Sequence, residues 1–218
     1  MSPVDRRVIL KALTAAVGML AARPLTAVGA VPSEALSGEW TVQTLEAFAD
    51  TMIPGKRRFP GDLAIAGVVN GPGAVHAGAM HVLTSPELPI APVLPEVAAL
   101  LNARAVVYAA SHLILLPVIS PAFVGLAFRH RTALTIELFD TDDLDRPIWQ
   151  VLGLLVGMAF DTAAHLDTRQ AVMAKHPGLD WLRFPLPDSD GLWRFRDYSY
   201  GRTLAALHPA TTPSGSPT

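Results

Sequence analysis

The feature that most restricts the fold of this chain is a run of 24 residues, from Ala105 to Phe128, without a charged side chain. Such a run is long enough to cross a membrane as one helix. It also fits two buried helices joined by a turn between Pro117 and Pro121. We favour the two-helix interpretation, because Pro117 would break a membrane span near its middle and because Ser111 and His112 would need partners in lipid.

Apolar residues recur at helical spacing before this run. Leu45, Phe48, Ala49 and Met52 follow the i, i+3, i+4, i+7 pattern of one helix face, and Thr41 is the predicted N-cap. Farther along, residues 71–73 read Gly-Pro-Gly and are expected to open a helix that continues to about residue 83.

A second apolar stretch, residues 148–160, is predicted to pack against the uncharged run as a central helix pair. Gly153 and Gly157 would let the two backbones approach closely. No strand pattern or internal repeat is evident. We therefore predict an all-α fold: a single helical-bundle domain over residues 31–208, with long apolar central helices, an irregular aromatic-rich C-terminal segment and a disordered tail over residues 209–218.

The first 30 residues have the three parts of a secretory signal: a basic start, a short apolar stretch and a small-residue cleavage site at Ala30. Arg6 and Arg7, followed by Leu10 and Lys11, resemble the twin-arginine pattern, which directs folded proteins to the twin-arginine translocase. The alternative is an amphipathic N-terminal helix of a cytoplasmic protein. We expect an exported protein, periplasmic or otherwise extracytoplasmic, with possible association to the membrane left open.

The composition excludes several classes of site. The chain has no cysteine, which rules out disulfides, thiolate metal sites and iron–sulfur clusters within it. Its formal net charge of −2 argues against nucleic acid as a partner, since phosphate binding needs a surplus of basic residues. The one dense basic triplet, Lys56 to Arg58, is expected to be a solvated loop.

Candidate sites for metal chemistry are weak. The aspartates between residues 140 and 145 do not follow the calcium-binding EF-hand pattern, so we expect a solvated loop in which Asp145 caps the next helix. Asp161 and His165 lie one helical turn apart and could supply two metal ligands. The alternative for them is a hydrogen-bonded Asp–His pair. His112 is expected to be a core histidine, and no residue is predicted to be catalytic or to bind a cofactor.

The C-terminal third is rich in the residue types that dominate protein interfaces. It could form a partner interface or pin the helices together, and the sequence leaves both open. The residues that would form the interface are Trp193, Phe195, Arg196, Tyr198 and Tyr200.

Two segments carry a family resemblance. Residues 44–55, which read Thr-Leu-Glu-Ala-Phe-Ala-Asp-Thr-Met-Ile-Pro-Gly, and the Gly-Pro-Gly-Ala sequence at 71–74 are similar to the small-subunit (subunit 3) family of gluconate 2-dehydrogenase. The C-terminal Asp-Gly-Leu-Trp-Arg-Phe and Tyr-Ser-Tyr-Gly-Arg sequences resemble an uncharacterised branch associated with flavin-dependent oxidoreductases. The resemblance implies a subunit without a cofactor of its own. Its partner would be a leaderless, FAD-containing large subunit of the glucose-methanol-choline type, exported by this chain's leader.

We therefore expect a non-catalytic accessory subunit that escorts and stabilises an exported flavin-dependent oxidoreductase. Two alternatives are a stand-alone exported enzyme with a metal at Asp161 and His165, and a membrane-integrated helical protein that uses residues 105–128.

Overall fold

The computed structural model describes residues 38–187 and residue 189, and within these residues the fold is all-α, as predicted. The chain divides after Phe184 into two compact units. No β-strand occurs among residues 38–187. The α-helices of this part of the chain are α1 (Gly38–Met52), α2 (Ala79–Leu83), α3 (Leu94–Ser111), α4 (Ala122–Gly125), α5 (Phe128–Leu138), α6 (Arg146–Asp161), α7 (Thr168–Met173) and α8 (Pro177–Trp181). A short 3-10 helix, Ala91–Val93, directly precedes α3.

Helix α1 lies at the centre of the domain and packs against α2 to α6. Leu45, Phe48 and Ala49 are fully buried on its core face, as their spacing predicted. The Phe48 ring lies 6.4 Å from that of Trp149 on α6. Burying an aliphatic or aromatic side chain of this size stabilises a fold by about 1.5–3 kcal/mol. Thr41 lies inside α1 rather than at its start, so the N-cap prediction is wrong.

Helix α6 matches the predicted apolar stretch, but its packing partners differ from those expected. It packs mainly on α2, α1 and α8, while α3 packs on α1 and α4. Gly153 contacts the side chains of Met52 and Phe139, and nothing lies within 4 Å of where a Cβ of Gly157 would be. The predicted close approach of two backbones at these glycines is therefore wrong.

The uncharged run contains helices joined through an irregular segment, so a single helix over residues 105–128 is wrong. Helix α3 stops at Ser111, and helical structure resumes only at Ala122. Leu113 has a left-handed backbone (φ 55°), and its N–H and that of Ile114 bond back to the last turn of α3. The connecting segment is therefore longer than the predicted turn between Pro117 and Pro121.

Among the described residues, one helical stretch, Ala91–Ser111, is long and apolar enough to cross a membrane, with a mean hydropathy of 1.4. Half of it is buried inside the protein, as is common for a core helix. The Gly-Pro-Gly sequence does not open a helix. Residues 74–78 form turns, and α2 begins only after Gly78, which has a φ of 83°.

The last described helices, α7 and α8, enclose a small apolar cluster of Ala163, Ala171, Val172 and Leu179. Asp167 caps α7 by accepting a hydrogen bond from the Gln170 N–H at 3.0 Å. The indole of Trp181 covers Gly71, where a Cβ would lie 2.9 Å from the ring. Glycine at position 71 thus leaves the space that the Trp181 ring occupies.

Candidate functional site

The motif helix α1 ends with a buried carboxylate, Asp50, that organises the segment after it. One Asp50 oxygen accepts a hydrogen bond from the Gly55 N–H at 3.0 Å, and the other accepts from the Ala66 N–H at 2.8 Å. Burial raises the pKa of Asp50 above its usual value, although the two N–H donors oppose the shift. One side chain therefore binds two distant points, Gly55 and Ala66, of an irregular segment, which we name the motif loop (residues 55–70).

Glu46, one turn before Asp50, binds the motif loop through Arg58. The Arg58 guanidinium donates to both Glu46 oxygens at 2.6 and 2.7 Å and to Asp62 at 2.8 Å. Burial alone would raise the pKa of Asp62, but the hydrogen bonds that it accepts from Arg58 and from the Ile65 N–H, together with the charge of Arg58, lower that pKa below its usual value. Bidentate arginine–carboxylate pairs are the strongest and most directional of the ion pairs. Arg58 therefore has a structural role, which the expectation of a solvated loop did not foresee.

A buried arginine on α5, Arg131, joins the motif loop to the region around α4. Its guanidinium donates to the carbonyl oxygens of Leu63 (2.8 Å) and Ala64 (2.7 Å), and also to those of Val124 (2.5 Å) and Leu126 (3.0 Å). Burial lowers its pKa to about 10, so the side chain is charged at neutral pH. Four backbone carbonyls accept its hydrogen bonds, whereas the usual partner of a buried guanidinium is a carboxylate.

The two glycine-containing motifs meet through their backbones. The Ala74 N–H bonds to the Ile53 carbonyl at 3.0 Å, and the Lys56 N–H bonds to the Gly71 carbonyl at 2.9 Å. A Cβ on Gly73 would lie 2.5 Å from the Gly55 nitrogen, a distance that real Cβ atoms do not adopt. Glycine is therefore required here by close approach of two chain segments.

The outer side of the motif loop displays apolar and basic side chains. Phe59 is 56% exposed and Leu63 is 57% exposed, and Val68 of the same loop is also exposed. Lys56 and Arg57 are also exposed, although Arg57 donates to the Ile65 carbonyl at 3.3 Å. A loop fixed from below by buried polar groups thus holds an exposed apolar surface in a defined conformation.

The predicted metal residues Asp161 and His165 do not belong to any group of described residues that could hold a metal ion. His165 lies between two other histidines, with ring-centre distances of 5.6 Å to His81 and 5.7 Å to His176, whereas Asp161 is exposed at the end of α6. His176 uses its Nε2 with the Ala77 carbonyl at 3.0 Å. Burial, followed by the charges of the neighbouring histidines, lowers the pKa of His165. Across residues 38–187, no group of three His, Asp or Glu side chains could hold a metal ion.

Two other sequence predictions need correction. His112 is exposed rather than in the core. Its ring stacks on that of Tyr108, with 4.1 Å between the ring centres. Asp145 is the N-cap residue of α6, but its side chain makes no capping bond. It is buried and pairs instead with Arg104 at 3.1 Å, as Asp143 does at 2.8 Å.

The remaining predicted residues lie outside the described part of the chain, and their roles stay predictions. They are the export residues Arg6, Arg7, Leu10, Lys11 and Ala30 and the interface residues Trp193, Phe195, Arg196, Tyr198 and Tyr200.

Comparison with known proteins gives the family. The model of a family described as "Family of unknown function (DUF5987)" matches residues 39–218, which is most of the chain. The chain belongs to the DUF5987 family. No curated protein and no solved structure matches it. The matched range of the DUF5987 family begins within α1 and so includes Glu46, Asp50, the motif loop and Arg131.

Sequence reasoning missed Arg131 and the roles of Arg58 and Asp62 in this DUF5987 member. Arg131 carries no sequence signal, because its partners are backbone carbonyls. The Arg58–Asp62 pair did carry a sequence signal. Its opposite charges lie four residues apart, shortly after a motif with two acidic residues, and this spacing suggests a local ion pair.

Proposed function

We propose that this chain is a non-catalytic accessory subunit that binds a flavin-dependent oxidoreductase and escorts it out of the cytoplasm. The partner would be a large subunit of the glucose-methanol-choline type that holds the FAD, and the route would be the twin-arginine translocase. The motif residues that carry the family resemblance, residues 44–55 and 71–74, support this proposal because they build the base of an exposed surface.

The observation on which the proposal depends is the motif loop. It places a phenylalanine, a leucine and a valine in solvent, where each has unfavourable contact with water. At the same time Asp50 and Arg131 bind its backbone, and Arg58 within the loop pairs with Glu46 on α1. A surface that is ordered before binding loses less conformational entropy on binding, which favours affinity.

The residue types also fit a protein partner. The exposed ring of Phe59 lies beside the guanidinium of Arg58, whose Cζ is 5.8 Å from the ring centre. Arg57 precedes Arg58 in the sequence and is also exposed. Aromatic and arginine side chains contribute most of the energy at many protein interfaces. We infer that Phe59 and Leu63 are the central contacts with the flavoprotein.

The test is co-purification from the native host with the wild-type chain and with the double variant Phe59→Ser/Leu63→Ser. We expect wild type to retain a flavoprotein, identified by its flavin absorbance and by mass spectrometry. The double variant should retain it at least about tenfold more weakly, since central interface residues contribute upward of 1–2 kcal/mol each.

The matched control is Leu144→Ser, because Leu144 is a more exposed leucine outside the motif loop. It should retain the partner as wild type does. The proposal fails if wild type retains no flavoprotein, or if the folded double variant retains as much as the control.

A further inference from the structure

The second exposed apolar surface is a loop with both inward and outward side chains; we name residues 113–119 the apolar loop. Ile114 and Leu116 are half-buried and pack against the core. The outward side chains are almost fully exposed: Leu113 at 92%, Leu115 at 96%, Val118 at 93% and Ile119 at 86%. The loop is therefore anchored on one side and displays four aliphatic side chains on the other.

The conformation of Leu113 shows that the fold itself does not require a leucine there. Its positive φ is a conformation that favours glycine, and glycine is the usual residue just after a helix end of this kind. A leucine at this position is unfavourable in its backbone and, at 92% exposure, in its side chain. The isolated domain therefore gains little from this side chain.

Basic and titratable groups lie near the start of the apolar loop. They are His112, Arg129 and His130, which we name the basic cluster. The His112 ring stacks on Tyr108, and the Tyr108 hydroxyl lies 3.3 Å from His130 Nδ1. Arg129 Nε in turn donates to His130 Nε2 at 3.2 Å. These contacts place an exposed guanidinium and two imidazoles together. One of the three residues, His112, directly precedes Leu113 in the chain.

No acidic residue occurs from residue 97 to residue 136, although the chain has 19 acids in 218 residues. The flanking acids, Glu96 and Glu137, lie at the helix ends remote from the loop: 16 residues before His112 on α3 and eight residues after Arg129 on α5. At a rise of 1.5 Å per residue, these separations are roughly 24 Å and 12 Å along the helix axes. An anionic surface that met the apolar loop would therefore meet basic groups without an opposing carboxylate in this stretch.

We propose that the apolar loop inserts into the surface of a lipid bilayer that carries anionic headgroups, with the basic cluster at headgroup level. The four aliphatic side chains carry no hydrogen-bonding group and suit the acyl region. Arg129 attracts phosphate groups, as basic residues near membrane surfaces do. This proposal is independent of the flavoprotein, because it uses a different surface from the motif loop.

The geometry also sets the depth of insertion. Helix α3 cannot leave the domain to span the bilayer without exposing Leu101 and Ala105, which are fully buried. Irregular backbone is not tolerated in the hydrocarbon centre, because its polar groups would lack partners. The apolar loop therefore lies at the boundary between headgroups and acyl chains, and Val106 and Val107, exposed on the last turns of α3, extend the apolar surface beside it.

The experiment is vesicle flotation of the full chain without any partner protein. One set of vesicles contains phosphatidylcholine alone, and the other contains equal parts of phosphatidylcholine and phosphatidylglycerol. We expect binding to the anionic vesicles to fall about tenfold or more in Leu115→Ser/Val118→Ser, because two inserted aliphatic side chains are lost. The Arg129→Gln variant should reduce binding to anionic vesicles toward the level on neutral ones.

The matched control is Leu144→Ser/Leu166→Ser, which removes two exposed leucines away from the apolar loop. It should float as wild type does, and since every variant keeps the same residues 1–37, differences report the substituted positions alone. Equal flotation of the loop variant and the control would overturn the proposal. So would a loop variant that floats normally but no longer retains a flavoprotein, since the apolar loop would then be a protein interface.

Discussion

Replacing Arg131 by methionine is expected to lower the free energy of unfolding by about 3–5 kcal/mol, because buried carbonyl oxygens that lose their donor cost about 1–3 kcal/mol each. Methionine fills a similar volume but donates no hydrogen bond. The carbonyls of Leu63, Ala64, Val124 and Leu126 would lose a charged donor together. Domains of this kind are stable by only about 5–15 kcal/mol, so this loss is large.

Urea unfolding followed by circular dichroism measures the effect. Arg129→Met is the control, because Arg129 lies on the same helix but is exposed, and a surface substitution of this kind changes stability by about 0.5 kcal/mol or less. Equal unfolding midpoints for the two variants would show that Arg131 does not join the motif loop to the α4 region.

The second large effect is expected at the contact between the two glycine motifs. Gly73→Ala should destabilise the domain by about 3 kcal/mol, since overpacking against a rigid neighbour is costly. The new Cβ would lie 2.5 Å from the Gly55 nitrogen and 2.6 Å from the Ile53 carbonyl oxygen. Both neighbours are backbone atoms, so neither can move aside by rotating a side chain.

Gly157→Ala provides a control of opposite sign. Gly157 lies within α6 with nothing near its Cβ position, so alanine should raise the free energy of unfolding by about 0.5–1 kcal/mol through its helix propensity. Thermal unfolding of both variants gives the comparison. If Gly73→Ala is as stable as wild type, the two motifs do not approach as closely as described.

The helices at the centre of the domain were predictable because their residues follow the helical period. Leu45 and Phe48 on α1 and the apolar stretch of α6 illustrate this, since one face of each helix is buried. The partners of these helices were not predictable. Gly153 and Gly157 suggested a close contact of backbones, but which face of a helix meets which neighbour depends on tertiary packing and not on a local pattern.

The uncharged run shows a second limit. Its composition predicted two buried helices joined by a turn at Pro117 to Pro121, yet Leu113 and Leu115, which precede that turn, are exposed to solvent. Apolar composition alone does not distinguish a side chain that is buried in the core from one that is exposed on the surface of the domain. The signal that was available is the pair Pro117 and Pro121, which limits helix formation in this segment.

The candidate site was predictable only as a motif. Glu46 and Asp50 are on the face of α1 toward the motif loop, and the sequence singled out the stretch that contains them. The loop conformation depends on bonds from Asp50 to backbone N–H groups and from Arg131 to backbone carbonyls. Every residue offers such backbone groups, so no residue type marks the partner.

The escort of a flavoprotein is tested most directly by export of that partner. Arg6 and Arg7 are replaced by lysines in the native host, and the flavoprotein that co-purifies with wild type is measured by immunoblot inside and outside the cytoplasm. A twin-arginine substrate with an unrelated leader serves as control for the pathway. We expect this chain and its flavoprotein both to remain inside while the control substrate is exported. A flavoprotein that still reaches the outside at the wild-type level would contradict it.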